Sequence, residues 1–371
     1  MMKHAFLILS VLVTLASSGA GAERSRSEAV IRLLNSRASG SPRGYAEAAE
    51  IVAEDAANGK PLQQFVIALA SKDPDAPAAA KIDKARRDEY LRSSRDKIKN
   101  LAEQRGNALA WYLLSLENND QTMLKRAAEG GNVQALNSWG TITLTKALRD
   151  LGDDTNDVER VLKKSFSLYK RAAEQNDANG LYNLGMCYLQ GYGTARDLDN
   201  ALDCFRTAAE AGHPEAINNI GGFYRDGVVV EKDPVIATRW FSKSAAMENA
   251  YGLLNYGLAL QRGEGVAADS AQAVELYKKS LARGSVEAVN AYAMCLFNGD
   301  GVAEDKAAAV ALYRQAAERG FPPAMENLAA CYDAGLGGLK RDVMMSAVWK
   351  ARARAARGDR NAAAWLSGNG Y

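Results

Sequence analysis

Six aromatic residues, Tyr169, Phe205, Phe241, Tyr277, Tyr313 and Trp349, stand 36 residues apart with no gap across five periods. Small residues keep the same phase at Gly185, Gly221, Gly257, Ala293 and Ala329, and glycine recurs at Gly191, Gly227, Gly263, Gly299 and Gly335. Self-similarity at this period means stacked copies of one supersecondary unit, each unable to bury its apolar face alone. A chain built this way offers long surfaces rather than a closed reaction chamber, so its function is sought on a face of the stack.

One copy, residues 285–320, shows how the unit folds. Ala288, Val289, Tyr292, Ala293 and Leu296 recur at helical spacing and predict a first helix with a broad apolar stripe. Gly299-Asp300-Gly301 ends it, because glycine tolerates the left-handed backbone of a helix terminus. Asp305 then caps a second helix, as Asp197, Asp233 and Asp269 do one period apart each. Ala309, Tyr313, Ala316 and Ala317 face back onto the first helix, where small residues permit close approach and the aromatic fills the gap between repeats. The fold class is therefore all-α: a solenoid of antiparallel helix pairs.

The run Leu184-Gly185-Met186-Cys187-Tyr188, then Gly191-Tyr192-Gly193, Ala201 to Phe205, and Ala208-Ala209-Glu210-Ala211-Gly212 resembles the Sel-1-like repeat, a relative of the tetratricopeptide repeat. The resemblance covers residues 177–356 closely. It extends over 132–176 with a lengthening of nine residues, since Gly140 and Gly185 are 45 apart. It implies a right-handed superhelix of helix pairs that acts as a protein–protein scaffold or adaptor, with the first helices lining the concave side. It carries no catalytic residues, because its motif consists of packing positions. Some exported, cysteine-rich members have been linked to β-lactam binding; this chain has Ala173 and Gly180 near the places of their cysteines and so departs from that pattern.

Upstream the pattern fades. Repeat-like fragments remain at 45–69 and 111–128, separated by an Ala- and Pro-rich loop at 72–81 and a long charged helix over about 85–105. Residues 361–366 begin one more helix that caps the stack. The expected organisation is a signal peptide at 1–22, a helical region with degenerate repeats at 23–131, the repeat solenoid at 132–358 and a capping segment at 359–371.

The signal-peptide reading rests on Lys3, an apolar run from Ala5 to Ala16 too short to span a bilayer as a helix, and Ala20-Gly21-Ala22 ahead of Glu23. It predicts export to a bacterial periplasm or beyond, with no integral membrane segment after cleavage. The formal charge of +2 falls by one with Lys3, and that near-neutral balance argues against a dedicated nucleic-acid binder. Cleavage also leaves His213 as the sole histidine, which disfavours histidine-dependent triads and zinc motifs. No catalytic, cofactor or metal residues are predicted, and the chain is not read as an enzyme. Two S-x-x-K matches, Ser94 to Lys97 and Ser167 to Lys170, lack the accompanying S-D-N and K-T-G elements. Of four cysteines, Cys187, Cys295 and Cys331 share one apolar column and read as buried thiols. Cys187 and Cys204, at similar levels on paired helices, read either as a bridge or as two more buried thiols.

Partner-binding candidates lie on the first helices. An asparagine column, Asn183, Asn219, Asn255 and Asn327, is interrupted only by Ala291; such amides either hold a partner's backbone or satisfy groups between repeats. Tyr182, Met186, Leu189, Tyr251, Leu254, Leu258, Met294 and Phe297 are apolar beyond the packing stripe and form either a peptide groove or more core. The last repeat is basic, with Lys340, Arg341, Lys350, Arg352, Arg354, Arg357 and Arg360 against Asp342 and Asp359, which reads as a solvated face or an anionic docking site. The leading functional reading is a scaffold with a protein or peptide partner. The alternatives are a regulator or inhibitor of a cell-envelope enzyme and a β-lactam-binding protein.

Overall fold

The computed structural model describes residues 52–53, 56–57, 61–71, 81–149 and 155–371. The signal-peptide reading at 1–22, the repeat-like fragment before residue 52 and most of the loop at 72–81 lie outside the described residues. Among those described, seventeen α-helices and no strand are present, and none is long and apolar enough to cross a membrane. Contacts divide the chain into two compact units that part between His213 and Pro214.

The first unit contains α1 (Pro61–Ala70), α2 (Lys84–Arg105), α3 (Ala108–Asn118), α4 (Gln121–Glu129), α5 (Val133–Arg149), α6 (Thr155–Ala173), α7 (Ala178–Gln190) and α8 (Leu198–Glu210). The long charged helix expected over about 85–105 is α2, capped by the Asp83 carboxylate on Arg86 N and ended at Gly106 with φ 60°. It buries Tyr90, Leu91, Ile98 and Ala102, one stripe of an otherwise polar helix, in a core shared with α1 and α3. The nine extra residues ahead of Gly185 are absorbed largely by helix length: α5 has 17 residues and α6 has 19, against 13 in each of α7 and α8.

The second unit contains α9 (Pro214–Asp226), α10 (Pro234–Ala246), α11 (Ala250–Arg262), α12 (Ser270–Ala282), α13 (Val286–Asn298), α14 (Lys306–Glu318), α15 (Pro322–Ala334), α16 (Val343–Ala356) and α17 (Arg360–Gly368). Each odd-numbered helix from α9 to α15 packs on the helix that follows it, and that pair packs on the next. Asp233, Asp269 and Asp305 cap α10, α12 and α14 as expected, each through a carboxylate oxygen on a backbone N–H. In the last pair the cap is Asp342, one position later than the period. Each such cap contributes about 1 kcal/mol.

The aromatic column is core throughout: Tyr169, Phe205, Phe241, Tyr277, Tyr313 and Trp349 are all buried. Its relation to the glycine column is direct. A Cβ added at Gly185, Gly221 or Gly257 would lie 2.6–2.7 Å from the ring of Phe205, Phe241 or Tyr277 respectively. Each ring thus lies against the first helix of its own repeat, in space that a larger side chain would take. The same cluster around Tyr277 takes in Ala288 and Cys295 of the following repeat, so one ring joins three helices.

A second glycine ties successive pairs together. At Gly265, φ is +70° and a Cβ would sit 2.1 Å from the Pro234 carbonyl oxygen, a contact with backbone that cannot yield. Gly301 and Gly337 make the same approach to Ser270 and Lys306. Val229 occupies the equivalent position in the α9–α10 loop, at φ 67° and 42% exposed. A β-branched residue in that region is strained by about 1–3 kcal/mol.

Candidate open face of the first helices

The solvent-facing positions of α11 are Tyr251, Asn255, Leu258 and Arg262, spaced i, i+4, i+7 and i+11 along one helix face. Within the second unit the same stripe carries Asn219 on α9, Met294 on α13 and Asn327 on α15, and in the first unit Asn183 and Met186 hold the equivalent positions on α7. Tyr251 is 52% and Met294 is 42% exposed, large apolar side chains on consecutive repeats, and Leu258 is half-buried on the same stripe.

Four of the expected groove residues occupy helix positions off this stripe. Leu254 is buried in the α11–α12–α13 core, because its position faces the neighbouring repeat rather than solvent. Phe297 packs against the following core with its ring 6.3 Å from Tyr313, and the Lys306 ammonium covers it at 5.6 Å. Tyr182 stacks on His213 at 4.4 Å and lies 5.9 Å from Phe205. Leu189 is half-buried at the position equivalent to Phe297. The first helices are buried on two sides, so apolar character alone does not distinguish the open stripe from the contact between repeats.

The asparagine column resolves in the same way at two positions. Asn255 Nδ2 donates to Asn218 Oδ1 at 2.8 Å, and Asn327 Nδ2 donates to Asn290 Oδ1 at 3.0 Å. These bonds link consecutive first helices, so the amide donors of Asn255 and Asn327 serve the stack. Asn183 in the first unit and Asn219 in the second are each half-buried at the equivalent position of their own helix.

The stripe of α11 runs into a cleft of ≈ 220 Å³ shared with α9 and α10. Phe241, Leu258 and Asn255 line it, and Arg225, Lys232 and Arg262 stand around it with Glu264. Arg225 is held in place by a fork to Asp226, with Nε and Nη2 donating at 2.8 and 2.9 Å, and its guanidinium lies 5.9 Å over the Phe241 ring. That pair keeps the Asp226 carboxyl below the usual carboxylate range. Arg262 approaches Glu264 at 3.7 Å, an exposed and loose pair. Thr238 Oγ1 donates to the Glu264 carbonyl at 2.7 Å and fixes the loop that closes one side. The sequence reading did not single out this cleft. Its cations come from the end of one first helix, a loop and the end of the next, and follow no period.

The other candidates read as structural. In the basic last repeat, Arg357 pairs with Glu326, Arg354 with Asp359 and Lys350 with Asp333, while Arg352 lies 4.6 Å over Trp349, so the face is laced with ion pairs. All four cysteines are free, and Cys204 packs against the cluster that buries Cys187. Burial pushes the Cys187 thiol up to about 12 and the Cys204 and Cys295 thiols up to about 11, which keeps them protonated and unreactive at neutral pH. Ser94 is fully buried and its hydroxyl donates to the Tyr90 carbonyl at 2.5 Å, a placement unlike that of an activated nucleophile. Among the described residues no group of three metal-ligating side chains comes together.

The pairing of ring and glycine recurs with the same aspartate caps from one helix pair to the next. Six consecutive segments, 146–177, 178–213, 214–249, 250–285, 286–321 and 322–349, match the Sel1 repeat and together span more than half of the chain. The chain belongs to the Sel1 repeat family. A Sel1 repeat protein from Oxalobacter formigenes is 26% identical, with 67% of this chain and 96% of that one covered and a TM-score of 0.56. A protective antigen of uropathogenic Escherichia coli with an SLR fold is 26% identical, with 86% of this chain and 66% of that one covered and a TM-score of 0.53. No curated protein sequence matches this chain. The Sel1 assignment accounts for the residues that build the stack.

Proposed function

We propose that this Sel1-repeat chain is an exported, non-catalytic scaffold that binds a protein or peptide partner along the open stripe of its first helices. The observation that carries the reading is the exposure of Tyr251 and Met294 on consecutive repeats, with Leu258 on the same stripe. Covering side chains of this size contributes about 1.5–3 kcal/mol each when burial is complete. A few such residues can supply most of the energy of a protein interface. The leader at 1–22 supports delivery to a bacterial periplasm or beyond, where the partner would be met.

Glutamate substitutions test this reading. Tyr251→Glu and Met294→Glu are expected to melt as the parent does and to lose the partner in pull-downs from the cell envelope. Leu254→Glu, which buries a carboxylate in the core, is expected to melt early. Retention of the partner by both exposed-site variants would contradict the reading. A mature N-terminus at Glu23, read by mass spectrometry, is the expected sign of export; an uncleaved Met1 would count against it.

A further inference from the structure

We propose that the cleft among α9, α10 and α11 receives a carboxylate side chain carried on an extended acidic segment of a protein partner. This rests on the reading that the open stripe is the partner-binding face, and it specifies the partner's chemistry. The cleft and the stripe are continuous, since Asn255, Leu258 and Arg262 belong to both. At ≈ 220 Å³ the cleft has room for one side chain rather than a length of peptide, so the flanking residues of the segment must lie along the stripe.

Charge complementarity identifies that side chain. Arg225, Lys232 and Arg262 surround an apolar wall made by Phe241 and Leu258. Against these three cations stand the carboxylates of Asp226 and Glu264, which leaves the rim net positive. The fold does not demand cations there. One period on, the equivalent positions are Gln261, Ala268 and Asn298, all neutral. The same helix pair therefore stacks without the charges, and their gathering at one cleft is particular to this pair of repeats. Arg225 is already oriented by Asp226 and by the Phe241 ring, so little ordering is needed when a ligand arrives. Lys232 in the α9–α10 loop and Arg262, loosely held by Glu264 at 3.7 Å, are the cations able to turn onto an incoming carboxylate.

Random nine-residue peptides displayed on phage and selected on the full chain test the proposal. A segment of that length extends about 30 Å, enough to fill the cleft and lie along the stripe. Selected peptides are expected to carry an aspartate or glutamate beside an apolar residue. A synthetic copy is expected to bind about three- to tenfold more weakly when its acid is replaced by the amide, and similarly to Lys232→Ala or Arg262→Ala, with further loss at high salt. Amidation of the peptide's C-terminus is expected to leave affinity unchanged. Selection on Lys232→Glu is expected to lose the acidic preference. Peptides enriched without excess of acid, and lost on the Tyr251→Ala/Met294→Ala double variant, would overturn the carboxylate inference and leave the open-stripe reading standing. Unchanged affinity in both cation variants would also overturn the inference. No enrichment, or enrichment indifferent to the double variant, would overturn both readings.

Discussion

Replacing Tyr277 by alanine removes the ring on which three helices converge. The side chain is fully buried on α12, its ring lies against Gly257 of α11, and its hydroxyl donates to Gln261 Oε1 at 2.8 Å. Gln261 in turn donates to Cys295 Sγ on α13 at 3.5 Å. Exposing roughly 150 Å² of ring area at about 25 cal/mol per Å² costs about 4 kcal/mol. The lost hydrogen bond adds about 1 kcal/mol, and partial collapse of the neighbours returns some of the total. The expected cost of Tyr277→Ala is therefore about 3–5 kcal/mol. Tyr277→Phe keeps the packing and is expected to cost about 1 kcal/mol. Urea unfolding followed by circular dichroism measures both. Native-state hydrogen exchange across 250–321 shows whether the loss is local to those repeats, since stacked repeats open in neighbouring groups. A Tyr277→Ala variant within about 0.5 kcal/mol of the parent would refute the packing argument, because surface substitutions fall in that range.

Further outcomes follow from the same packing. Gly265→Ala is expected to destabilise far more than Gly284→Ala in chemical unfolding: both have positive φ, but only Gly265 meets backbone, while a Cβ at Gly284 has open space. Equal costs would contradict the inter-pair contact. Val229→Gly is expected to stabilise the chain by about 1 kcal/mol through release of backbone strain, read as a rise in the urea midpoint, and a fall would show the strain to be absent. His213 is buried against Tyr182, and burial pushes its imidazole down to about 4 from the ordinary 6.5. The unfolded chain binds that proton first, so stability is fully present above about pH 6.5 and is lost as pH falls toward 4, by at most about 3 kcal/mol. His213→Phe is expected to flatten the pH dependence over that window, and an undiminished dependence would assign it to other groups.

The elements of the stack were legible because each is specified locally. Asp197, Asp233, Asp269 and Asp305 cap their helices through contacts two or three residues away. The ring and glycine columns differ by a fixed offset that period analysis exposes. The open face was only half legible. Leu254 and Leu258 are both leucines on α11 and both touch the same core, yet one is buried within it and the other is only half-buried on the stripe, a distinction set by the neighbouring repeat. For the asparagine column the sequence leaves open a hold on a partner and a link between repeats; at Asn255 and Asn327 it is the link, because Asn218 and Asn290, one position before the column, accept from them. The Arg225, Lys232 and Arg262 cluster left no trace in the sequence, since the stack alone brings residues 37 positions apart to one cleft.

Site-specific photocrosslinking in intact cells tests the central claim that the first-helix stripe is the partner-binding face. A photoreactive residue placed at Met294, exposed on α13, is compared with one at Gln315, exposed on the second helix α14 of the same repeat. The account predicts a discrete protein adduct from position 294 and none from position 315. An adduct from position 315 alone, or no adduct from position 294 in cells where the protein is exported and folded, would contradict it.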